Sequence, residues 1–193
     1  SFKNDFGIET DLRDFHGSLV ISHDPVLNEK NLIYFRDFLK EYKKFNFKNI
    51  MALNIKSDGI IIKAEKLLRE YEVENYFYFD MSIPQLINAY NSNVKKIFCR
   101  KSEYESTEKI LNLTSGVWID SFKGSHENLK NLITYFLKEK KQLAIVSPEL
   151  HGKDLNLMYN CWENIKSIRL DKEYDQNIML CTDHPLKAKS FFK

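Results

Sequence analysis

Short apolar runs alternate with helix-like segments along almost the whole chain, and no other feature restricts the fold as strongly. Residues 1–6 read as the end of a helix, and residues 7–12 and 18–22 as extended. Leu32 to Phe45 carries Ile33, Phe35, Phe38, Leu39 and Tyr42 at helical spacing. Ile50 to Ile55 is a buried strand, residues 58–71 a helix with Asp58 as its N-cap, and Tyr76 to Phe79 an aromatic strand. The helix from Ile83 to Tyr90 has Pro84 near its start, a position proline tolerates. Val94 to Cys99 is the next strand, and a polar loop with a short helix fills 102–112. Strands at Gly116 to Ile119, Gln142 to Val146 and Asn177 to Cys181 alternate with helices at Glu127 to Lys138 and 153–169, and a last short helix follows Pro185.

Apolar strands this continuous are buried on both faces, as in parallel sheets covered by helices. Seven strand units start at residue 7. An open barrel would leave two unpaired edges, so the pattern predicts an α/β fold, a (β/α)8 TIM barrel in a single domain over 1–193. The first strand is then expected before Ser1. In such a barrel the C-terminal strand ends share one face, where sites are built. Those ends are mostly polar here: Glu9 and Asp11, His23, Asn54 and Lys56, Asp80, Arg100, Asp120, Ser147 and Glu149, Thr182 and Asp183.

The segment Gly7 to Pro25 concentrates the chemistry. Glu9 and Asp11 are two apart, so on a strand they project from one face. Paired carboxylates repel each other unless a cation sits between them, and oxygen ligands suit a hard ion, Mg2+ or Ca2+. The chain turns at His16-Gly17 and runs through an apolar stretch into Ser22-His23-Asp24-Pro25. A cation neutralises phosphate charge and an imidazole moves a proton near pH 7, which together suit phosphoester chemistry. A solvated acidic hairpin with a surface histidine would show the same spacing.

The ordered set resembles the glycerophosphodiester phosphodiesterase family, with its Glu-x-Asp, Gly turn and His-Asp at Glu9, Asp11, Gly17 and His23-Asp24. Leu53-Asn54-Ile55-Lys56 resembles that family's third-strand Glu-Ile-Lys, and Thr182-Asp183-His184-Pro185 its Thr-Asp-x-Pro ending. The resemblance implies a metal-dependent phosphodiesterase that hydrolyses glycerophosphodiester-like substrates to an alcohol and a glycerol phosphate. It implies one divalent cation, Mg2+ or Ca2+, held by Glu9, Asp11 and residue 54. Lys56, with Arg100, would meet the phosphate. His23 would be the general acid, paired with a histidine of a first-strand His-Arg-Gly expected upstream. Asn54 departs from the family's glutamate, and a neutral ligand should hold the cation loosely unless Asp80, Asp120 or Glu149 compensates. The insertion that often follows His-Asp-Pro is missing. Two other readings stay open. One is a barrel that binds a phosphorylated ligand without turnover. The other is a lipid phosphodiesterase, which would want an exposed apolar loop that is not evident.

A net charge of +2 argues against nucleic acid as a partner, and the basic runs Lys43-Lys44, Lys95-Lys96 and Lys138 with Lys140-Lys141 read as solvated helix ends and turns. The expected partner is a small phosphodiester. No apolar run approaches the ~20 residues of a membrane span. Cys99, Cys161 and Cys181 form no CxxC and are expected as free, mostly buried thiols, which points to a reducing, cytoplasmic setting. His151, beside Gly152, is a further candidate near the strand ends. His16 is expected exposed in a turn, His126 as a helix cap, His184 as structural, and Trp118 and Trp162 as core.

Overall fold

The computed structural model describes residues 6–45, 47–168 and 175–193, so the helix tail expected at 1–6 lies, but for Phe6, outside the described residues. Two compact units divide the chain between Ile97 and Phe98.

The N-terminal unit contains β1 (Ile8–Phe15), β2 (Ser18–Ile21), β3 (Ile33–Tyr34), α1 (Phe35–Lys44), β4 (Met51–Ile55), α2 (Ile61–Glu70), β5 (Tyr76–Phe79) and α3 (Ile83–Asn91). Its sheet has the order β3-β2-β1-β4-β5. β1, β4 and β5 run parallel, while β2 pairs antiparallel with both β1 and β3. The β1–β2 hairpin closes through His16 and Gly17 at φ +47° and +74°, the two positive values a type I′ turn requires. Every residue of β4 is buried, Asn54 included, as expected for a central parallel strand.

Three of the departures from the expected boundaries have a visible cause. Tyr34 pairs with Val20, so the segment expected to be helical from Leu32 first makes the short strand β3. Asp58 does not cap α2, which starts after Ile60 without a side-chain cap. Its carboxylate accepts instead from the Ser82 hydroxyl at 2.9 Å, and Ser82 caps α3 through Gln85 N–H. The strand expected at Val94 starts later because Val94 N–H still closes α3 on the Ala89 carbonyl, with Asn93 in the left-handed region.

The C-terminal unit contains β6 (Phe98–Lys101), β7 (Gly116–Ile119), α4 (Leu129–Lys138), β8 (Gln142–Val146), α5 (Leu155–Ile168), β9 (Ile178–Cys181) and α6 (Pro185–Phe191). Its four strands are all parallel, in the order β6-β7-β8-β9. Gly116 is needed where β7 passes its neighbours, since a Cβ there would lie 2.4 Å from the Phe98 ring and 2.6 Å from the Gln142 carbonyl oxygen.

α5 buries Met158, Cys161, Trp162 and Ile165, the i, i+3, i+4, i+7 stripe of an amphipathic helix. Trp162 is fully buried and its indole N–H donates to Ser147 Oγ at 2.8 Å. Trp162→Ala should therefore cost about 3–5 kcal/mol, read as a fall in the urea midpoint. A cost below about 1 kcal/mol would mean that α5 repacks freely without the indole.

Candidate active site

Glu9, Asp11 and Arg13 alternate onto one face of β1. Asp11 is in register with Asn54 of β4, and Glu9 with Ala52, so Asn54 shares the face of the carboxylates. Lys56 follows at once. Its backbone N–H donates to the Leu12 carbonyl at 2.9 Å, and its ammonium lies 3.5 Å from Asp11 Oδ1. The two side chains are 22% and 19% exposed, which weakens water's screening of the pair.

Glu9 is exposed by its surface area, yet its pKa is pushed up to about 7. Desolvation is the first cause and the charge of Asp11 the second; Lys56 and an Asn54 hydrogen bond pull the other way, and Asp80 adds a little repulsion. Asn54 is 8% exposed, and its Oδ1 has no hydrogen-bond partner. A buried acceptor left unpaired costs about 1–3 kcal/mol. Two mutually repelling carboxylates and an unpaired amide oxygen on one sheet face fit a hard divalent cation. Among the described residues no group of three His, Cys, Asp or Glu side chains is placed to hold a metal.

The raised Glu9 pKa has a measurable consequence. Between about pH 4.5 and 7 the folded state binds more protons than the unfolded chain, so this group's contribution to stability falls as pH rises. In chelator, Glu9→Gln should raise Tm relative to wild type more at pH 8 than at pH 5. An equal difference at both pH values would contradict the shift.

His23 lies in the bend after β2, with its side chain 74% exposed. Its Nδ1 lies 2.9 Å from Asp24 Oδ1. Ser22 N–H donates to the Asp11 carbonyl at 3.1 Å, and Ser22 Oγ donates to the Asp24 carbonyl at 2.7 Å. Arg13 donates from Nε and Nη2 to the His23 carbonyl at 3.1 and 2.9 Å, and from Nη1 to the Lys56 carbonyl at 3.1 Å.

The C-terminal unit holds the other candidates. Arg100 is engaged by Glu105 through two hydrogen bonds of 2.6 and 3.0 Å and lies over the Phe122 ring. Asp120 accepts from His151 Nε2 at 2.6 Å and from Ser121 N–H at 2.8 Å. His126 does not cap α4; its Nε2–H donates to the Val146 carbonyl at 2.8 Å, and burial lowers its pKa. A pocket of about 230 Å3 opens beside Asp120 and His126. Glu149 accepts from the hydroxyls of both Ser147 and Thr182, so its oxygens are committed to tying the strand ends together.

No protein-family model matches the chain, and no curated protein matches it. Solved structures do. A protein of Galdieria sulphuraria assigned as a glycerophosphodiester phosphodiesterase superposes with a TM-score of 0.72 at 17% identity, over 98% of this chain and 86% of that one. The glycerophosphodiester phosphodiesterase of Parabacteroides distasonis gives 0.64 at 13% identity, over 96% and 83%. That of Agrobacterium tumefaciens gives 0.55 at 14%, over 90% and 81%. The chain has the glycerophosphodiester phosphodiesterase fold. At these identities the likeness is one of fold, and it supports the α/β class read from the alternating segments.

Within this glycerophosphodiester phosphodiesterase fold, the N-terminal unit brings Glu9, Asp11, Asn54, Lys56 and the His23 turn together, with Asp80 within electrostatic reach of Glu9. The C-terminal unit gathers Asp120 with His151, and Glu149 with Thr182, into separate networks. Arg13 was missed by sequence reading. Its signal was its place two residues beyond Asp11 on the same strand face.

Proposed function

We propose that this protein is a metal-dependent phosphodiesterase acting on small glycerophosphodiester-like substrates. The observation that carries the reading is the shared face of β1 and β4, where Glu9, Asp11 and the unpaired Asn54 oxygen stand next to Lys56. A (β/α)8 barrel architecture is part of the same proposal, supported by the parallel strands of each unit and by the likeness in fold.

Glu9, Asp11 and Asn54 would hold one Mg2+ or Ca2+. When bound, the ion supplies positive charge against a non-bridging phosphate oxygen. Lys56 neutralises further phosphate charge with its ammonium. As a water oxygen bonds to phosphorus and releases its proton to solvent, the P–O bond to the alkoxide breaks, and His23, held by Asp24 at Nδ1, gives its Nε2 proton to the departing oxygen. Arg100, held by Glu105, would have to exchange that carboxylate before it could bind any anion. Asp80 adds a small repulsion at Glu9 and so lies within electrostatic reach of the proposed cation site.

Asn54 also favours a second reading, a phosphate-binding barrel without turnover, because the third oxygen carries no charge. Release of ethanolamine from glycerophosphoethanolamine with added Mg2+ or Ca2+ separates the two. No release at saturating metal, alongside binding of inorganic phosphate, would select the second. Asn54→Glu tests the ligand set by calorimetry. A third carboxylate should tighten cation binding by about tenfold or more, since hard cations follow ligand charge. Tight binding by wild type with no change in Asn54→Glu would show that residue 54 does not face the metal. Among the described residues, no helix is long and apolar enough to cross a membrane.

A further inference from the structure

We infer that Arg13 is a positioning residue: its guanidinium holds the His23 and Lys56 carbonyls in one fork and so sets the reach of the acid to the phosphate. The inference rests on the phosphodiesterase reading.

The His23 side chain is 74% exposed and makes its side-chain contact with the neighbouring Asp24, so its placement comes from its backbone. That backbone is fixed at Ser22 by the Asp11 carbonyl and at His23 itself by two Arg13 N–H groups. The third Arg13 hydrogen bond goes to the carbonyl of Lys56, whose own N–H is held by the Leu12 carbonyl. One planar cation thus ties the turn carrying the proton donor to the strand end carrying the phosphate ligand. The two carbonyls come from different connections, and Arg13 bridges them from a strand between. A guanidinium has five donors in a rigid fork, whereas a lysine ammonium is a single point that cannot span both carbonyls in the same way. Arg13 is also on the face of Glu9 and Asp11, so one strand presents metal ligands and the clamp at consecutive same-face positions.

Acting through His23, Arg13 should matter in proportion to how much the leaving group needs a proton. Arg13→Gln should lower kcat on glycerophosphoethanolamine by about 30-fold, a part of the 10²–10⁴ that general acid catalysis supplies. On bis(p-nitrophenyl) phosphate, whose leaving group needs little protonation, the loss should stay below about threefold, with KM for both nearly unchanged. Arg13→Lys should recover part of the loss. In a His23→Ala background Arg13→Gln should add nothing on the alkyl diester. Equal losses on the two substrates, or an undiminished loss in the His23→Ala background, overturn the inference. Arg13→Lys and melting curves of both variants keep the test valid if Arg13→Gln unfolds. If wild type turns over neither diester, the phosphodiesterase reading fails, and the clamp is then judged by NMR. Inorganic phosphate should shift the His23 imidazole signals in wild type but not in Arg13→Gln, and the same shift in both overturns it.

Discussion

Glu9→Gln and Asp11→Asn should each reduce turnover of an alkyl phosphodiester by on the order of 10³ at limiting metal, because a bound cation contributes several kcal/mol and about 1.4 kcal/mol is tenfold. The two carboxylates share one face, and Glu9 is pushed toward neutrality chiefly by desolvation and by Asp11. Removing either charge therefore relieves strain in the protein while weakening its hold on a cation. The fold should survive. Asp11 loses a partly exposed contact with Lys56, worth about 1 kcal/mol or less, and Glu9→Gln should raise stability above pH 7. Undiminished turnover in both variants at limiting metal would remove the ligand assignment.

His23→Ala should cost about 10²–10⁴ in kcat on an alkyl diester and less than about tenfold on an aryl one. An alkoxide is a poor leaving group without a proton, whereas a nitrophenolate leaves as the anion. Nε2 is the atom available for that transfer, since Nδ1 faces Asp24. Asp24→Asn should show a weaker form of the same split, because it keeps a side chain beside Nδ1 but removes its charge. Equal losses on both substrates would mean that His23 places the phosphate and donates no proton.

Much of this site was legible in the sequence because strand geometry has period two. Glu9 and Asp11 had to share a face, and the apolar run of β4 left Asn54 as its one polar member. The His16-Gly17 turn was likewise written in a residue pair that accepts positive φ. What was not legible lies in bonds between distant backbone and side-chain atoms. Nothing in the order of residues shows that Arg13 reaches the carbonyls of His23 and Lys56, or that the Asn54 oxygen is left unpaired. Arg100 reads as a phosphate ligand by position at a strand end, yet Glu105 engages it. His126 reads as a helix cap, yet the Val146 carbonyl lies closer to hand. Asp58 shows the same limit, since Ser82 claims it from the start of another helix. For His126 and Asp58 a local rule was outcompeted by a partner brought in by tertiary structure, whereas the partner of Arg100 stands five residues further along the chain.

Hydrolysis of glycerophosphoethanolamine by chelator-treated wild type, followed as Mg2+ or Ca2+ is returned, tests the central claim most directly. No turnover is expected in chelator, with saturable recovery on adding either ion, at millimolar rather than nanomolar concentration because the proposed third ligand is an amide oxygen. Full turnover in chelator, unaffected by added cation, would contradict metal dependence.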